Sequence, residues 1–327
     1  MRVLVTGGAG YIGSLAVRQL LAGKHTVRVL DSLREGNQGL HGLERAAAFQ
    51  FTQGDIRSAE MVDRALEGME AVIHLAALVG DPICDRDPAL TREINHDASL
   101  QLWELSRRAG ISRVIFASTC SNYGRMRDRA VYLTEESELR PLSLYAETKV
   151  AIERVLLDGP SAQGPAPCVL RFATVFGLSP RMRYDLTVNE FTRELVLKRK
   201  LVIYGEQFWR PYVHVLDAAR AVRLVLESPA ARVNRQAFNV GDTTQNYRKA
   251  DLVDLIRQQL DDAVEVERVE KTEDPRDYRV SFDKIQQHLG FRTTRTVPDG
   301  IREIMAALRQ EMPAEAGETR GGSDGHL

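Results

Sequence analysis

The sequence has few cysteines and no long hydrophobic segment. Its 327 residues include only three cysteines, Cys84, Cys120 and Cys168. Such a sparse, odd-numbered set does not make a disulfide framework and is typical of the reducing cytoplasm, where we expect this protein. No apolar run approaches the roughly 20 residues of a membrane-spanning helix. The first residues enter a strand-like segment directly, without the basic and apolar parts of a signal peptide.

Net charge is nearly absent as well. The 44 Lys and Arg residues balance the 45 Asp and Glu residues to a formal charge of -1 at pH 7. Such a balance gives no overall attraction to nucleic acid or to an anionic membrane. Hydrophobic residues make up 43% of the chain, an ordinary globular proportion. We therefore predict a globular protein without nucleic-acid or membrane partners, and we predict no metal site.

The first half of the chain alternates apolar runs with amphipathic stretches. Five runs are interpreted as buried parallel strands: Val3–Thr6, Thr26–Leu30, Ala71–Leu75, Val114–Ala117 and Cys168–Phe172. Three stretches are interpreted as helices: Ile12–Leu21, Ala59–Leu66 and Asn95–Ala109. This alternation predicts an α/β fold with a doubly wound parallel sheet. We expect the ligand crevice at the carboxyl ends of its strands.

The alternation stops at a Gly- and Pro-rich loop near the middle of the chain. We predict a first domain over residues 1–165 and a smaller, discontinuous C-terminal lobe over residues 166–312. Pro211–Glu227 is interpreted as a strand end and a helix that return to the main sheet. Residues from about 211 to 240 would then rejoin the first domain. The polar, Gly-rich residues 313–327 predict a disordered tail.

A glycine-rich segment, Thr6–Gly13, joins the first strand to the first helix. Its glycines allow a tight turn and a close approach to a pyrophosphate, which the helix N-terminus would attract. Asp31 ends the second strand, where a carboxylate can accept hydrogen bonds from the adenosine ribose and repel a 2′-phosphate. This pattern favours NAD over NADP. Two alternatives stay open, because Asp31 could simply start a turn and Arg34 lies nearby.

Two further segments fit a dinucleotide. Asp55 follows a third strand-like segment, Phe49–Phe51, and is expected to meet the adenine edge. In His74–Ala77, small residues at the end of the fourth strand let the backbone lie along the cofactor. His74 itself is interpreted as structural.

Tyr145 and Lys149 stand four residues apart on a predicted helix and therefore share a face. The ammonium and a nicotinamide cation would lower the phenol pKa from its usual value of about 10. Tyr145 could then exchange a proton with a substrate hydroxyl, while Lys149 holds the nicotinamide ribose. Thr119, at the end of the fifth strand, is predicted to share that hydroxyl. The alternative for the Tyr-Lys pair is a solvated helix face.

Together these segments resemble an extended short-chain dehydrogenase/reductase of the NAD-dependent nucleotide-sugar epimerase/dehydratase family. The matching pieces are Thr6–Gly13, Asp31, Asp55-Ile56, His74–Ala77, Asn95, Ser118–Gly124, Tyr145–Lys149, Arg171–Gly177 and Arg210–Val215. The resemblance covers nearly everything before the tail. It implies a Rossmann-type NAD-binding domain, a substrate-binding second lobe and a nucleoside-diphosphate sugar. It also implies a homodimer formed through two helices per subunit, at about Asn95–Ala109 and Tyr145–Leu157.

The resemblance implies a set of site residues as well. Catalytic residues are Thr119, Tyr145 and Lys149. Cofactor-binding residues are Gly7, Gly10, Tyr11, Ile12, Gly13, Asp31, Asp55, Ile56, Leu75, Ala76, Ala77, Asn95, Tyr145 and Lys149. Substrate-binding residues are Asn189, Arg210, Asp274 and Arg276.

Arginine is suited to the substrate diphosphate because its planar fork binds phosphate oxygens in pairs. Arg210 matches the pyrophosphate-binding arginine of the family, and Arg276, oriented by Asp274, is predicted as a second contact. The alternative for Arg276 and Asp274 is that they belong to a solvated run of charged residues. Together with Arg276-Asp277-Tyr278, the Arg-rich segment Ser179–Leu186 resembles a subgroup that acts on nucleotide-activated heptoses and other modified sugars. Alternatively, Arg181 and Arg183 form salt bridges at the lobe boundary.

The reaction depends on the groups beside Thr119. Dehydratases of the family carry an Asp-Glu pair there, whereas this chain has Cys120 and Ser121, so dehydration is disfavoured. The 3,5-epimerase/reductases place a cysteine where Ser121 stands, which also disfavours that reaction. Cys120 is either an unusual acid/base or a small buried packing residue.

We therefore predict a C4 epimerase that acts through a transient 4-keto sugar and enzyme-bound NADH. A 4-dehydrogenase/reductase that releases or consumes the keto sugar is the alternative. Two rivals are a non-catalytic NAD sensor, which Tyr145 and Lys149 argue against, and a reductase of non-nucleotide ketones. Asp31, Arg210 and Arg276 argue against the second rival.

Overall fold

The computed structural model describes residues 1–128, 131–159, 164–261, 263–271 and 276–311. The predicted tail, residues 313–327, lies outside the described residues, and so does Asp274. Within the described residues, no helix combines the length and the apolar character needed to cross a membrane.

The elements alternate as predicted in the first half and mix afterwards. The strands are β1 (Arg2–Thr6), β2 (Thr26–Asp31), β3 (Phe49–Gln53), β4 (Ala71–His74), β5 (Arg113–Thr119), β6 (Ala166–Phe172), β7 (Thr174–Phe176), β8 (Lys200–Tyr204), β9 (Trp209–His214), β10 (Gln236–Val240), β11 (Asn246–Arg248) and β12 (Glu265–Val269). The helices are α1 (Tyr11–Ala22), α2 (Ala59–Leu66), α3 (Asp81–Arg86), α4 (Pro88–Arg92), α5 (Ala98–Arg108), α6 (Leu144–Asp158), α7 (Thr187–Leu197), α8 (Val215–Glu227), α9 (Ala230–Val233), α10 (Lys249–Arg257), α11 (Asp283–Leu289) and α12 (Val297–Glu311). A π-helical turn, Glu93–Asp97, leads into α5, and a 3-10 turn, Cys120–Tyr123, follows β5.

Among the described residues, the main sheet has the strand order β10-β6-β5-β4-β1-β2-β3, and its neighbours all pair in parallel. Its central strands are buried on both faces, as a parallel sheet with helices on each side requires. Val3 and Val5 face α1 and α8, whereas Leu4 faces α2 and α5. This sheet confirms the predicted Rossmann-type α/β fold.

The second lobe has its own small core. Its sheets follow the orders β11-β9-β7 and β12-β8. Helices α7, α10 and α12 pack together through buried residues such as Leu195, Ile256 and Ile304. The discontinuous substrate-binding lobe stays a prediction.

Two predicted boundaries differ from the structure. The first domain was predicted to end at residue 165, but β6 follows directly and pairs with β5 in the main sheet. The segment 211–240 was predicted to return to that sheet. Helix α8 and strand β10 do so, whereas β9 pairs with β7 and β11 in the second lobe. An apolar strand pattern shows burial but not the pairing partner, which explains the error for β9.

Candidate active site

The glycine-rich loop between β1 and α1 fits a dinucleotide pyrophosphate. Gly7 has φ +75, and a Cβ there would lie 2.6 Å from the backbone nitrogen of Ala76 at the end of β4. A Cβ at Gly13 would lie 2.1 Å from the Gly7 oxygen. Gly10 precedes α1 and brings no capping side chain, so the first N–H groups of the helix can meet phosphate oxygens. The side-chain-free backbone thus forms a cradle at the carboxyl end of the sheet.

Asp31 holds this loop from the end of β2. Its two carboxylate oxygens accept hydrogen bonds from the Ala9 and Leu33 backbone N–H groups, both at 2.9 Å. The bond from Leu33 is the turn that the alternative interpretation predicted. The same turn orients a half-buried carboxylate beside the glycine loop, where a ribose diol could use its remaining lone pairs.

Two predicted cofactor residues have their side chains engaged within the protein. Arg57 binds the carboxylate of Asp55 at 2.7 Å, and this hydrogen bond lowers the pKa of Asp55. The Asn95 amide accepts from the Leu78 N–H at 2.8 Å and donates to the Leu78 oxygen at 2.9 Å. Asn95 therefore shapes the segment after β4, in which Leu75, Ala76 and Ala77 lie half-buried.

His74 connects neighbouring elements through hydrogen bonds. Its ring lies between the hydroxyls of Thr6, at 2.7 Å, and Ser99, at 2.9 Å, and so connects β1, β4 and α5. Burial lowers the pKa of His74 to about 3, so the ring is neutral. This environment supports the structural role that we assigned to it.

The three predicted catalytic residues come from two adjacent elements. Helix α6 begins at a Ser143 cap and carries Tyr145 and Lys149 on one face. The Lys149 ammonium donates to the Ala117 oxygen in β5 at 2.9 Å and lies 5.8 Å from the centre of the Tyr145 ring. Thr119 ends β5, and its hydroxyl accepts from the Ser121 N–H at 3.1 Å. The structure thus connects the end of β5 to the face of α6 that carries Tyr145 and Lys149.

Burial controls the acid–base state of this face. It raises the pKa of Tyr145 well above its usual value, while the nearby Arg183 guanidinium acts in the opposite direction. Burial also lowers the pKa of Lys149 to about 8. Added positive charge next to the phenol is therefore what would prepare Tyr145 to give up its proton.

The residues after Thr119 show which interpretation of Cys120 fits. Cys120 is fully buried, and its thiol donates to the backbone oxygen of Arg171 at 3.2 Å. Burial raises the pKa of this thiol well above its usual range, which favours the packing interpretation over an acid/base at neutral pH. The Ser121 hydroxyl lies 3.3 Å from the phenol oxygen of Tyr278, which the sequence connected to the sugar subgroup without predicting a role for it.

Two predicted substrate arginines lie near Tyr278. The guanidinium of Arg210 stacks over the Tyr278 ring at 5.6 Å and donates to the Trp209 oxygen at 2.7 Å. Arg276 forms an ion pair with Asp81 of α3 at 3.2 Å. Asp81 was missed, because nothing in the local sequence indicates a partner so far along the chain.

Asn189 joins the two lobes. It is fully buried, and its amide binds the Gly177 N–H at 3.0 Å, the Arg183 oxygen at 2.9 Å and the Tyr11 phenol oxygen at 3.0 Å. Tyr11 in turn donates to the Gly177 oxygen at 2.5 Å. The amide predicted to contact substrate therefore links the glycine loop to the second lobe.

The Arg-rich segment of the second lobe forms salt bridges. Arg181 pairs with Glu35 of the first domain, and Arg183 pairs with Asp185. The Arg181–Glu35 pair agrees with the lobe-boundary alternative, whereas the Arg183–Asp185 pair joins two residues of the same segment. In the described ranges, no group of three or more His, Cys, Asp or Glu side chains is arranged to hold a metal ion.

Comparison with known proteins places this arrangement in a family. Residues 3–241 match the model of the NAD dependent epimerase/dehydratase family. The chain is 30% identical over 312 residues to a UDP-glucose 4-epimerase of Corynebacterium glutamicum, covering 89% of this chain and 90% of that relative.

Solved structures give the same result. A Thermus thermophilus UDP-glucose 4-epimerase in complex with NAD superposes with a TM-score of 0.83 at 29% identity, covering 95% of this chain and 100% of that one. A Streptomyces venezuelae dTDP-glucose 4,6-dehydratase with NAD bound gives a TM-score of 0.82 at 29% identity, with 95% and 97% covered. The chain therefore belongs to the NAD-dependent epimerase/dehydratase family, and it is an NAD-dependent enzyme of the extended short-chain dehydrogenase/reductase type.

Proposed function

We propose that the protein is a nucleoside-diphosphate-sugar C4 epimerase. One observation carries the choice of reaction: the two positions after Thr119 hold a buried, engaged thiol and a hydroxyl, Cys120 and Ser121. Dehydration needs a carboxylic acid beside the sugar to protonate the departing hydroxyl, and a serine cannot supply it. Inversion at C4 needs one proton relay, which the chain can provide, and a hydride carrier, which bound NAD would supply.

The proposed proton relay uses the face of α6 and the end of β5. Tyr145 takes the proton of the C4 hydroxyl and later returns it, while Thr119 shares the hydrogen bond to the same oxygen. Lys149, charged below a pKa of about 8, stabilises the phenolate and holds the nicotinamide ribose. Bound NAD supplies the hydride acceptor and donor. The keto sugar must turn over within the cleft before reduction for the C4 configuration to invert.

The substrate class follows from the relatives and from the arginines. UDP-glucose is named for the epimerase relatives, so a uridine diphosphate hexose is the first candidate. Arg210 and Arg276 are proposed to bind the diphosphate, Arg276 by leaving Asp81. Asn189 is proposed to shape this subsite from behind, because its amide is engaged internally. Action on a heptose or another modified sugar stays a prediction, as does the contribution of Asp274.

The decisive experiment incubates the purified protein with a panel of nucleoside-diphosphate hexoses and heptoses, without added reductant. Products are analysed by NMR and mass, and NADH is followed by absorbance. An isomer of unchanged mass without net NADH supports the epimerase. A product lighter by two hydrogens, with stoichiometric NADH, would replace it with the dehydrogenase alternative. Loss of water would overturn the argument from Cys120 and Ser121.

Assembly and location are separate proposals. A homodimer through α5 and α6 is supported by Val155, which is 38% exposed on α6, and by the half-buried Trp103 on α5. Sedimentation should then give twice the chain mass, and Val155→Arg should give monomers. The cytoplasmic location stays a prediction that fractionation of cells can test.

A further inference from the structure

A buried carboxylate lies one helical turn beyond Lys149 on α6. Glu153 is 1% exposed. It accepts hydrogen bonds from the Ser118 hydroxyl, from the Asn122 amide at 2.8 Å, and from the Arg171 guanidinium at 2.7 to 3.2 Å. All of these partners are donors, which is the environment of an ionised carboxylate.

The partners of Glu153 flank Thr119. Ser118 precedes Thr119 directly, and its neighbour across the sheet is Arg171 of β6. Cys120 follows Thr119 directly and donates its thiol to the Arg171 backbone oxygen. Both chain neighbours of Thr119 are therefore held by the Glu153–Arg171 pair.

The same helix also holds the residue two positions before Thr119. Lys149 donates to the Ala117 oxygen at 2.9 Å. Three residues around Thr119 are thus attached to α6 or β6, which fixes the distance between the end of β5 and the catalytic face of the helix.

We propose that Glu153 and Arg171 form a positioning pair that sets the place of Thr119 relative to Tyr145. The proposal rests on the proposed proton relay. Because small displacements of reacting groups change the rate steeply, the pair is expected to act on kcat and to leave KM nearly unchanged. Stability alone does not call for this pair, since buried ion pairs are often no more stabilising than well-packed apolar side chains.

Ser118→Ala tests the proposal with the least disturbance, because it removes only the hydroxyl that donates to Glu153 and accepts from Asn122 at 3.0 Å, and it leaves the ion pair intact. We expect kcat to fall about 10- to 100-fold, with KM within about 3-fold and a melting temperature lowered by only a few degrees. Ser106→Ala is the matched control: Ser106 is fully buried and donates to the Leu102 oxygen on α5. A variant S118A with wild-type kcat overturns the proposal.

A second pair of variants separates the effect of the Glu153 charge from the effect of its side-chain length. Glu153→Gln removes a carboxylate that faces Lys149 and leaves the Arg171 cation, so the high-pH limit of kcat should move down by about 1 pH unit. Glu153→Asp keeps the charge on a shorter side chain, so kcat should fall while that limit stays. The other titratable groups that face Lys149 are Tyr145 on α6, Cys84 on α3 and His74 on β4.

Asp217→Asn controls for the loss of a buried charge away from the site, since Asp217 is fully buried and accepts from the Thr294 and Arg295 N–H groups. It should lower the melting temperature without moving the pH limit. If E153Q and D217N behave alike in both measurements, Glu153 is structural and the proposal fails.

Hydrogen exchange gives a readout that does not depend on turnover. With NAD bound to both proteins, amide exchange in the segment 117–122 should be faster in S118A than in the wild type. Exchange in the rest of the protein should be unchanged. Unchanged exchange there overturns the positioning pair, whichever reaction the enzyme performs. A wild type that turns over no nucleotide sugar, but whose S118A variant loosens this segment, would instead overturn only the proposed function.

Discussion

Charged groups on the first two turns of α6 and on its third turn lie in opposite kinds of environment. Tyr145 and Lys149 lie in a buried environment that raises the pKa of the phenol and lowers that of the ammonium. One turn later, Glu153 is surrounded by donors and an arginine cation. Burial thus favours the neutral forms of Tyr145 and Lys149, where chemistry is expected, whereas the charge of Glu153 is compensated where geometry must be held.

Removing the phenol hydroxyl of Tyr145 should have the largest effect on activity. Tyr145→Phe deletes the proposed proton relay, so turnover should fall about 10³-fold while NAD binding is kept. Initial rates and a thermal shift with NAD measure the two effects. Tyr204→Phe, at a tyrosine that is 55% exposed on β8, is the matched control. An active Y145F enzyme would remove Tyr145 from the mechanism.

Lys149→Met should separate activity from stability. Turnover is expected to fall at least about 10²-fold, because the phenolate loses its neighbouring cation. Stability at pH 7 should rise by about 2 kcal/mol, since the burial cost of the charged form exceeds one lost hydrogen bond.

The pH dependence of stability tests the predicted sign of the K149M effect. The folded pKa of Lys149, about 8, is below the unfolded value of about 10.5. The burial cost is therefore complete below pH 8 and disappears as pH rises toward 10.5. Urea unfolding at pH 7 and pH 10 should show the advantage of K149M shrinking. A variant less stable than wild type at pH 7 would contradict this account.

His74 extends the comparison to a buried group with a structural role only. Its folded pKa, about 3, is below the unfolded value of 6.5, so the unfolded chain binds the proton first. Stability should fall as pH drops below 6.5, by up to ~1.4 kcal/mol per pH unit from this residue. His74→Asn should flatten that slope in urea unfolding between pH 7 and pH 5. His41→Asn, at an exposed histidine, serves as the control, and an unaltered slope in H74N would refute the assignment.

The smallest effect is expected at the start of α6. Ser143→Ala removes a cap in which the hydroxyl accepts from the Ala146 N–H at 3.4 Å, and it should cost about 0.5 to 1 kcal/mol. Ser58→Ala removes the equivalent 3.4 Å bond to Met61 at the start of α2. Both should lose similar stability, but only S143A should change kcat, by less than about 3-fold. Equal kcat values would show that the first turn of α6 tolerates fraying.

Much of the first domain could be predicted because its signals are local. The strand patterns, the glycine loop and Asp31 fell on β1, β2, β4, β5 and the start of α1, since short apolar runs and glycine turns do not depend on distant residues. The placement of β9 was wrong, because its partner β7 is chosen by tertiary pairing. The roles of Asn95 and Asn189 were also beyond local reasoning, because their amides bind backbone groups that the chain brings together only on folding.

By itself, the sequence determined the parallel sheet, the dinucleotide cradle and the shared face of Tyr145 and Lys149, because periodicity and spacing act within single elements. Only the tertiary structure decided which charges are compensated. Glu153 meets Ser118 and Arg171 from separate strands, and Lys149 has its pKa lowered by burial that many distant residues produce. Burial and long-range hydrogen bonds belong to the packed molecule, and they separate the residues expected to react from those that hold them in place.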